Sequence, residues 1–266
     1  MIGSRPTRIW VLMWILAAIG IAFLALPVVS LFWRAIDYRD AVSDARTRGI
    51  LVDAVMLSLV TSALAMVLVV GFGTPLAYVL ARSQSRFAKI VDAVIDLPIL
   101  LPPAVAGIAL LTAFGRAGTL GGWLDDRGVQ IGFTTTAVVL AQVFVSSPFF
   151  IRSARAGFMR IDRNLEDAAA DLGAPPFTVF RRITLPLVRN SLVAGAVLAW
   201  ARALGEFGAT IMFAGSRRGV TQTMPLAIYE RFGGGDLPAA IVMSVVLLGI
   251  SVVFLVMVRV VGERSV

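Results

Sequence analysis

The chain has 266 residues, 58% of them hydrophobic and only 15% charged, with a formal net charge of +8. A soluble domain carries about 25% charged residues, so an ordinary soluble fold is excluded. With no cysteine and no histidine, disulfides, thiolate nucleophiles, haem ligands, most zinc sites and the commonest general base are excluded too. The positive charge does not point to nucleic acid, because the basic residues sit in short segments between apolar runs.

Those runs are roughly 20 residues long, enough to cross a hydrocarbon core of about 30 Å as helices. They do not alternate with the period of two that a membrane barrel needs. The expected fold is therefore an all-α polytopic membrane protein with about six transmembrane helices, over 9–33, 53–80, 90–114, 134–158, 187–213 and 237–261. The first run is too long for a signal-peptide core and has no clean cleavage site after it, so it reads as a retained helix. Residues 1–50 then form an N-terminal helix with its following loop, and 51–262 the core. Neither a soluble domain nor a C-terminal regulatory extension is expected, and the sequence contains no G-x-x-x-x-G-K-[ST] for nucleotide. Neither a cofactor nor a metal site is expected, and the chain is not expected to be an enzyme.

Lys and Arg in the loops set the orientation. A cytoplasmic N-terminus puts Arg5, Arg8, Arg82, Arg86, Lys89, Arg259 and Arg264 inside. It also puts inside the richest loop, with Arg152, Arg155, Arg160, Arg163, Arg181, Arg182 and Arg189. Fewer basic residues fall outside, so both termini are expected in the cytoplasm.

In the third span, Pro98, Pro102 and Pro103 free backbone carbonyls and permit a bend. That bend is either a static kink or a break beside a gate. Asp92 and Asp96 lie near its cytoplasmic end and read as interfacial, solvated carboxylates. Thr134, Thr135 and Thr136 supply caps for the fourth span.

The loop 159–186 contains a compact helix. Asn164 is its expected cap, Glu166 and Asp167 favour the positive end of the helix dipole, and Gly173 followed by Pro175 and Pro176 ends it. Leu165, Ala168, Ala169 and Leu172 form a narrow stripe onto which another surface could close. A second basic helix then ends at Leu185-Pro186. In isolation this could be an amphipathic helix lying on the membrane or a docking element.

The fifth span is rich in Ala and Gly, which allow tight helix contact in lipid. Arg202 and Glu206 stand four apart within it, with Gly205 and Gly208 beside them. Charges at that depth need a partner, a cavity or a pathway. They either line the permeation route or form a structural ion pair.

Asp167-Ala168-Ala169, then Gly173, then Ile183-Thr184-Leu185-Pro186 resemble the E-A-A-x3-G-x9-I-x-L-P loop of bacterial ABC importer permeases, with Asp167 where Glu is usual. The stretches 97–107, 114–118, 201–210 and 221–229 resemble the molybdate branch of that family, and the likeness covers roughly residues 50–260. It implies a type I ABC importer permease fold in a bacterial plasma membrane. It implies that Glu166, Asp167, Ala168, Ala169, Gly173, Ile183, Leu185 and Pro186 couple to a cytoplasmic ATPase dimer. It also implies a second copy of the chain across the pathway and an extracytoplasmic oxyanion-binding protein as partners. The substrate implied is molybdate, with tungstate as a second ion of the same class. A sulfate or thiosulfate permease is the alternative within the family, and a lipid enzyme or a secondary transporter the alternative outside it.

Overall fold

The computed structural model describes residues 8–83 and 85–263, and every regular element among them is helical. Arg5 and Arg264, used above for orientation, lie outside the described residues. Five helices are long and apolar enough to cross a membrane, and a bent pair makes a sixth crossing if counted as one.

α1 (Arg8–Asp37) is 30 residues long, with apolar side chains on every face and none of its apolar window buried. A helix hydrophobic all round belongs in lipid, and α1 touches the rest of the chain mainly along α12. A single 3-10 turn (Arg39–Val42) leads to α2 (Ala45–Arg82), whose cap Asp44 accepts the Thr47 N–H at 3.0 Å. At 38 residues α2 is about 57 Å long, so it outruns the hydrocarbon core. Its buried positions Ala54, Ser58, Ser62, Ala65, Val69, Gly73, Ala77 and Leu80 recur every three to four residues, and most are small.

The expected third span is two helices. α3 (Arg86–Leu100) and α4 (Pro103–Phe114) meet at Leu101–Pro102, where the chain turns by 118°. The proline pair explains the break. A residue before proline is pushed out of the helical region, and Leu101 is extended at ψ 132°, while Pro103 restarts the helix at its first position. Pro98 is absorbed within α3. A short α5 (Gly121–Asp125) leads into α6 (Thr135–Met159), capped by Thr134 as expected, with the Thr135 hydroxyl donating to the Val220 carbonyl at 2.8 Å.

α7 (Arg163–Asp171) and α8 (Pro176–Val179) form the loop after α6. The second basic helix does not stop at Leu185-Pro186. A π-helical turn (Phe180–Thr184) joins α8 to α9 (Leu185–Leu204), giving one continuous helix. Pro186 falls just after the π turn, where the widened ladder no longer needs its missing N–H. The expected fifth span also breaks: α9 ends at Leu204, and α10 (Gly208–Ala214) follows after Gly205–Phe207. α11 (Met224–Gly233), which no apolar run announced, and α12 (Leu237–Glu263) complete the chain.

α6 is the axis of the bundle, packed on α2 along one side and α9 along another. At the end bearing α7, the core holds Val69, Ala77, Leu80, Phe150, Phe158 and Val188. Towards the opposite end, α4 and α10 close on α6 through Ala106, Leu110, Ala141, Ala209 and Phe213. A small third cluster joins Ala54 to Met224 and Met243, where the Met224 N–H donates to Ser58 Oγ at 2.7 Å.

The α6–α9 contact depends on absent side chains. A Cβ on Gly157 would stand 2.4 Å from the Ser191 Cβ, and Ser153 Oγ donates to the Ser191 carbonyl at 2.9 Å. Gly157→Leu is expected to destabilise the protein by roughly 1–3 kcal/mol, the usual cost of overpacking. Gly71→Leu on α2, with nothing within 4 Å of its Cβ position, is expected to be neutral. Thermal melts in detergent compare the two.

Candidate functional site

Two regions carry the polar groups that an apolar bundle has to explain. One is the loop between α6 and α9, and the other is the place where two broken helices meet.

In the loop, Asp162 caps α7 by accepting the Asn164 N–H at 3.0 Å, so Asn164 is not the cap. Asp162 holds the extended backbone that a cap requires, two residues earlier than expected. The other end closes as expected. Gly173 takes φ +83°, its N–H donates to the Ala170 carbonyl at 2.8 Å, and the Ala174 N–H donates to the Ala169 carbonyl at 3.0 Å. This reciprocal pair is the Schellman closure, which favours glycine at its left-handed position. With both ends fixed, α7 exposes its apolar side. Leu172 is 89% exposed and Leu165 49%, and Phe177 on α8 stands out beside them. Ala168 is exposed and Ala169 half-buried.

The two acidic residues of α7 part company. Asp167 points outward and is exposed. Glu166 turns inward, where its Oε2 meets Arg82 Nη2 at the end of α2 at 2.6 Å and its Oε1 accepts the Thr184 hydroxyl from the π turn. The Arg82 guanidinium lies 5.6 Å from the Tyr78 ring centroid, and Tyr78 packs edge-on against both Phe158 and Phe180, with centroids 5.3 Å apart. Ile183 and Leu185 are half-buried, and Pro186 is exposed. Sequence reasoning passed over Arg82, Tyr78 and Thr184. Arg82 carried a signal only as an orientation charge, and Thr184 only as the variable position of a motif.

At the second region, Pro103 opens α4 against Gly208, which opens α10. A Cβ on Gly208 would lie 2.3 Å from the Pro103 Cβ, and one on Gly107 would lie 2.6 Å from the Ala209 carbonyl oxygen. The helix breaks therefore abut through Pro103 and Gly208, whereas a Cβ on Gly205 would meet only the Ala201 carbonyl of its own helix. Arg202 and Glu206 do pair, Nη2 to Oε2 at 2.6 Å, an ion contact without linear hydrogen-bond alignment. Glu206 stands beyond the end of α9 and not within a continuous helix. It is 1% exposed, and its Oε1 accepts the Ala209 N–H at 2.7 Å. The carboxylate thus sits on the positive end of α10, where backbone donors and the helix dipole both favour an anion.

Further polar side chains are buried at related levels. Gln142 Oε1 and Ser146 Oγ, one turn apart on α6, and Thr210 Oγ1 on α10 have no hydrogen-bond partner among the described residues. Asp92 and Asp96 are partly solvent-exposed, as expected, and are also paired. Asp92 pairs with Arg155 at 2.6 Å, and Asp96 accepts from Arg152 Nε at 2.7 Å, so the two rungs tie α3 to α6. Among the described residues, no cluster of acidic side chains is suited to hold a metal ion.

Residues 73–265 match the family described as binding-protein-dependent transport system inner membrane component. Two similar sequences are a molybdenum transport system permease protein ModB from Mycobacterium tuberculosis and a probable sulfate transport system permease protein from Chlorokybus atmophyticus. The first is 44% identical over 258 residues, covering 94% of this chain and 92% of its own. The second is 34% identical over 257 residues, covering 96% and 89%. In three dimensions the chain superposes on a bacterial ABC transporter involved in the import of the acidic polysaccharide alginate. The TM-score is 0.76 at 17% identity, with 97% of this chain and 96% of that one covered, which speaks for the fold alone. A broken-helix bundle with a capped, outward-facing loop helix, matched along most of its length, places this chain in the family of binding-protein-dependent transport system inner membrane components.

Proposed function

We propose that this chain is the membrane-spanning permease subunit of an ATP-driven importer for molybdate, with tungstate as a second substrate. The observation that carries this reading is α7: a short helix fixed at both ends, anchored from behind, with Leu165 and Leu172 facing out. An apolar stripe held rigid beyond the membrane is a docking element, and an ATPase groove is the partner that an importer of this family requires. The substrate follows from the relatives, since the molybdenum permease is the more similar of the two oxyanion permeases.

In this reading both termini lie in the cytoplasm of a bacterial cell, α7 faces the ATPase dimer, and ATP hydrolysis takes place there. Two copies of the chain enclose the pathway, and an extracytoplasmic binding protein delivers the anion to the end bearing α11. Alternation between inward- and outward-open states is a two-state equilibrium biased by ATP and by the loaded binding protein. The abutting breaks at Pro103 and Gly208 supply ends that can move, as broken helices do at the midplane of transporters. The α10 N-terminus does not serve as a resting site for the anion, because Glu206 already occupies it. Arg202 and Glu206 therefore frame the pathway by fixing the α9–α10 break. The unpartnered Gln142, Ser146 and Thr210 groups are suited to meet water or oxyanion when the bundle opens.

Three outcomes are expected. Reconstituted with its ATPase and binding protein, the chain takes up labelled molybdate, with tungstate competing and sulfate not. Preferential competition by sulfate moves it to the sulfate branch, and failure to assemble with any ATPase removes the importer reading. Gly173→Ala forces a left-handed residue at a cost of roughly 1–2 kcal/mol and weakens ATPase co-purification, whereas Gly173→Asn retains most of it. Glu206→Gln and Arg202→Gln each lower the melting temperature in detergent. The double substitution is expected to fall short of their sum by about 1 kcal/mol, as coupled partners do.

A further inference from the structure

The carboxylate of Glu166 faces the protein, not the docking surface. Its two oxygens are held by groups from two other elements, Arg82 at the end of α2 and Thr184 in the π turn that opens into α9. Both charged side chains are mostly buried. Arg82 is braced on Tyr78, and Tyr78 lies in a three-ring cluster with Phe158 of α6 and Phe180 of the π turn. The π turn matters here, because an extra residue in one helical turn rotates the side chains that follow. Thr184, wholly buried, is thereby presented to Glu166.

The surroundings make this contact the fixed one. The remainder of α7 is a surface helix with no buried residue. Leu165, Ala168 and Leu172 of its stripe are exposed, as is Asp167, and nothing crowds the Gly173 closure. Among the described residues, Glu166 is the α7 side chain that hydrogen-bonds to the transmembrane helices. A side chain with few rotamers open to it, and with both oxygens engaged, transmits displacement. A helix tied only through its connecting loops does not.

We propose that Arg82, Glu166 and Thr184 form the mechanical link by which movement of the docked α7 is passed to α2 and α9. This makes Arg82 and Thr184 positioning residues for transport and gives Glu166 an internal role in place of contact with the ATPase. The proposal rests on the importer reading for its transport readout. Removing either charge leaves α7 free to follow the ATPase while α2 and α9 stay behind, so ATP is hydrolysed without uptake.

The test uses the full complex in liposomes. Arg82→Gln and Glu166→Gln are each expected to keep the ATPase bound and hydrolysing while uptake per ATP falls about tenfold, within the usual range of coupling factors. The charge-swapped pair R82E/E166R is expected to recover most of the ratio, and Thr184→Val to lose part of it. Single variants that keep the wild-type ratio overturn the link. So do single variants that lose ATPase assembly with no rescue by the swap, because the pair would then serve only to fold the loop. A second readout needs no substrate. The chain contains no cysteine, so spin labels attached through Val79→Cys on α2 and Asp171→Cys on α7 report one distance. A narrow distribution that broadens in Glu166→Gln supports the link even if the transported ion is not molybdate, and an unchanged width overturns it.

Discussion

Close contact between helices that carry very little side chain is the constraint on which this structure depends. In lipid, apolar burial gives helices no reason to associate, since the acyl chains are as apolar as leucine. What remains is dispersion, and it falls away steeply with a gap of even an ångström. The chain meets this by lining α2, α6 and α9 with Ala, Gly and Ser where they touch, and α6 serves as the shared partner. Gly157 against Ser191 and Gly195 against Ser153 bring two backbones to a distance that any larger residue would prevent.

Against that rigid frame the two helix breaks are the costly features. Each interrupts a ladder of hydrogen bonds at a depth where water is scarce. The structure limits the cost by stacking one break on the other and by lending α10 a carboxylate of its own. Glu206 accepts the buried Ala209 N–H of α10, and Arg202 compensates Glu206. A chain of local compensations of this kind holds a weak point in place without making it permanent, which is what alternating access asks of a bundle.

Much of this was legible in the sequence, and what was missed follows a physical pattern. Hydropathy alone gave the helical class and placed α6 almost to the residue, because Thr134 is a cap in the expected place. The stop at Gly173 was legible because a left-handed residue after a helix has few chemical solutions. Asp162 was missed because an Asx cap at Asn164 was equally good locally, and only the path of the backbone decides between them. The break at Gly205–Phe207 was hidden inside an apolar run, where hydropathy is blind to backbone direction. The Arg202–Glu206 spacing pointed to a helical pair and found the right partners for a different reason. Thr184 and Arg82, 102 residues apart in sequence, share Glu166 only through the fold, and no local pattern announces a contact of that kind.

α1 stands apart from all of this. None of its apolar window is buried, and the family match begins at residue 73, well beyond it. Apart from its contact along α12, what holds α1 in place is partition between water and bilayer. Its sequence answers to an average property, so Leu, Ile, Val and Phe are interchangeable along it. The helices around α6 answer to shape, residue by residue. One chain thus answers to two kinds of requirement, an average apolarity in the segment that lies in lipid and a residue-by-residue shape in the segments that pack around α6.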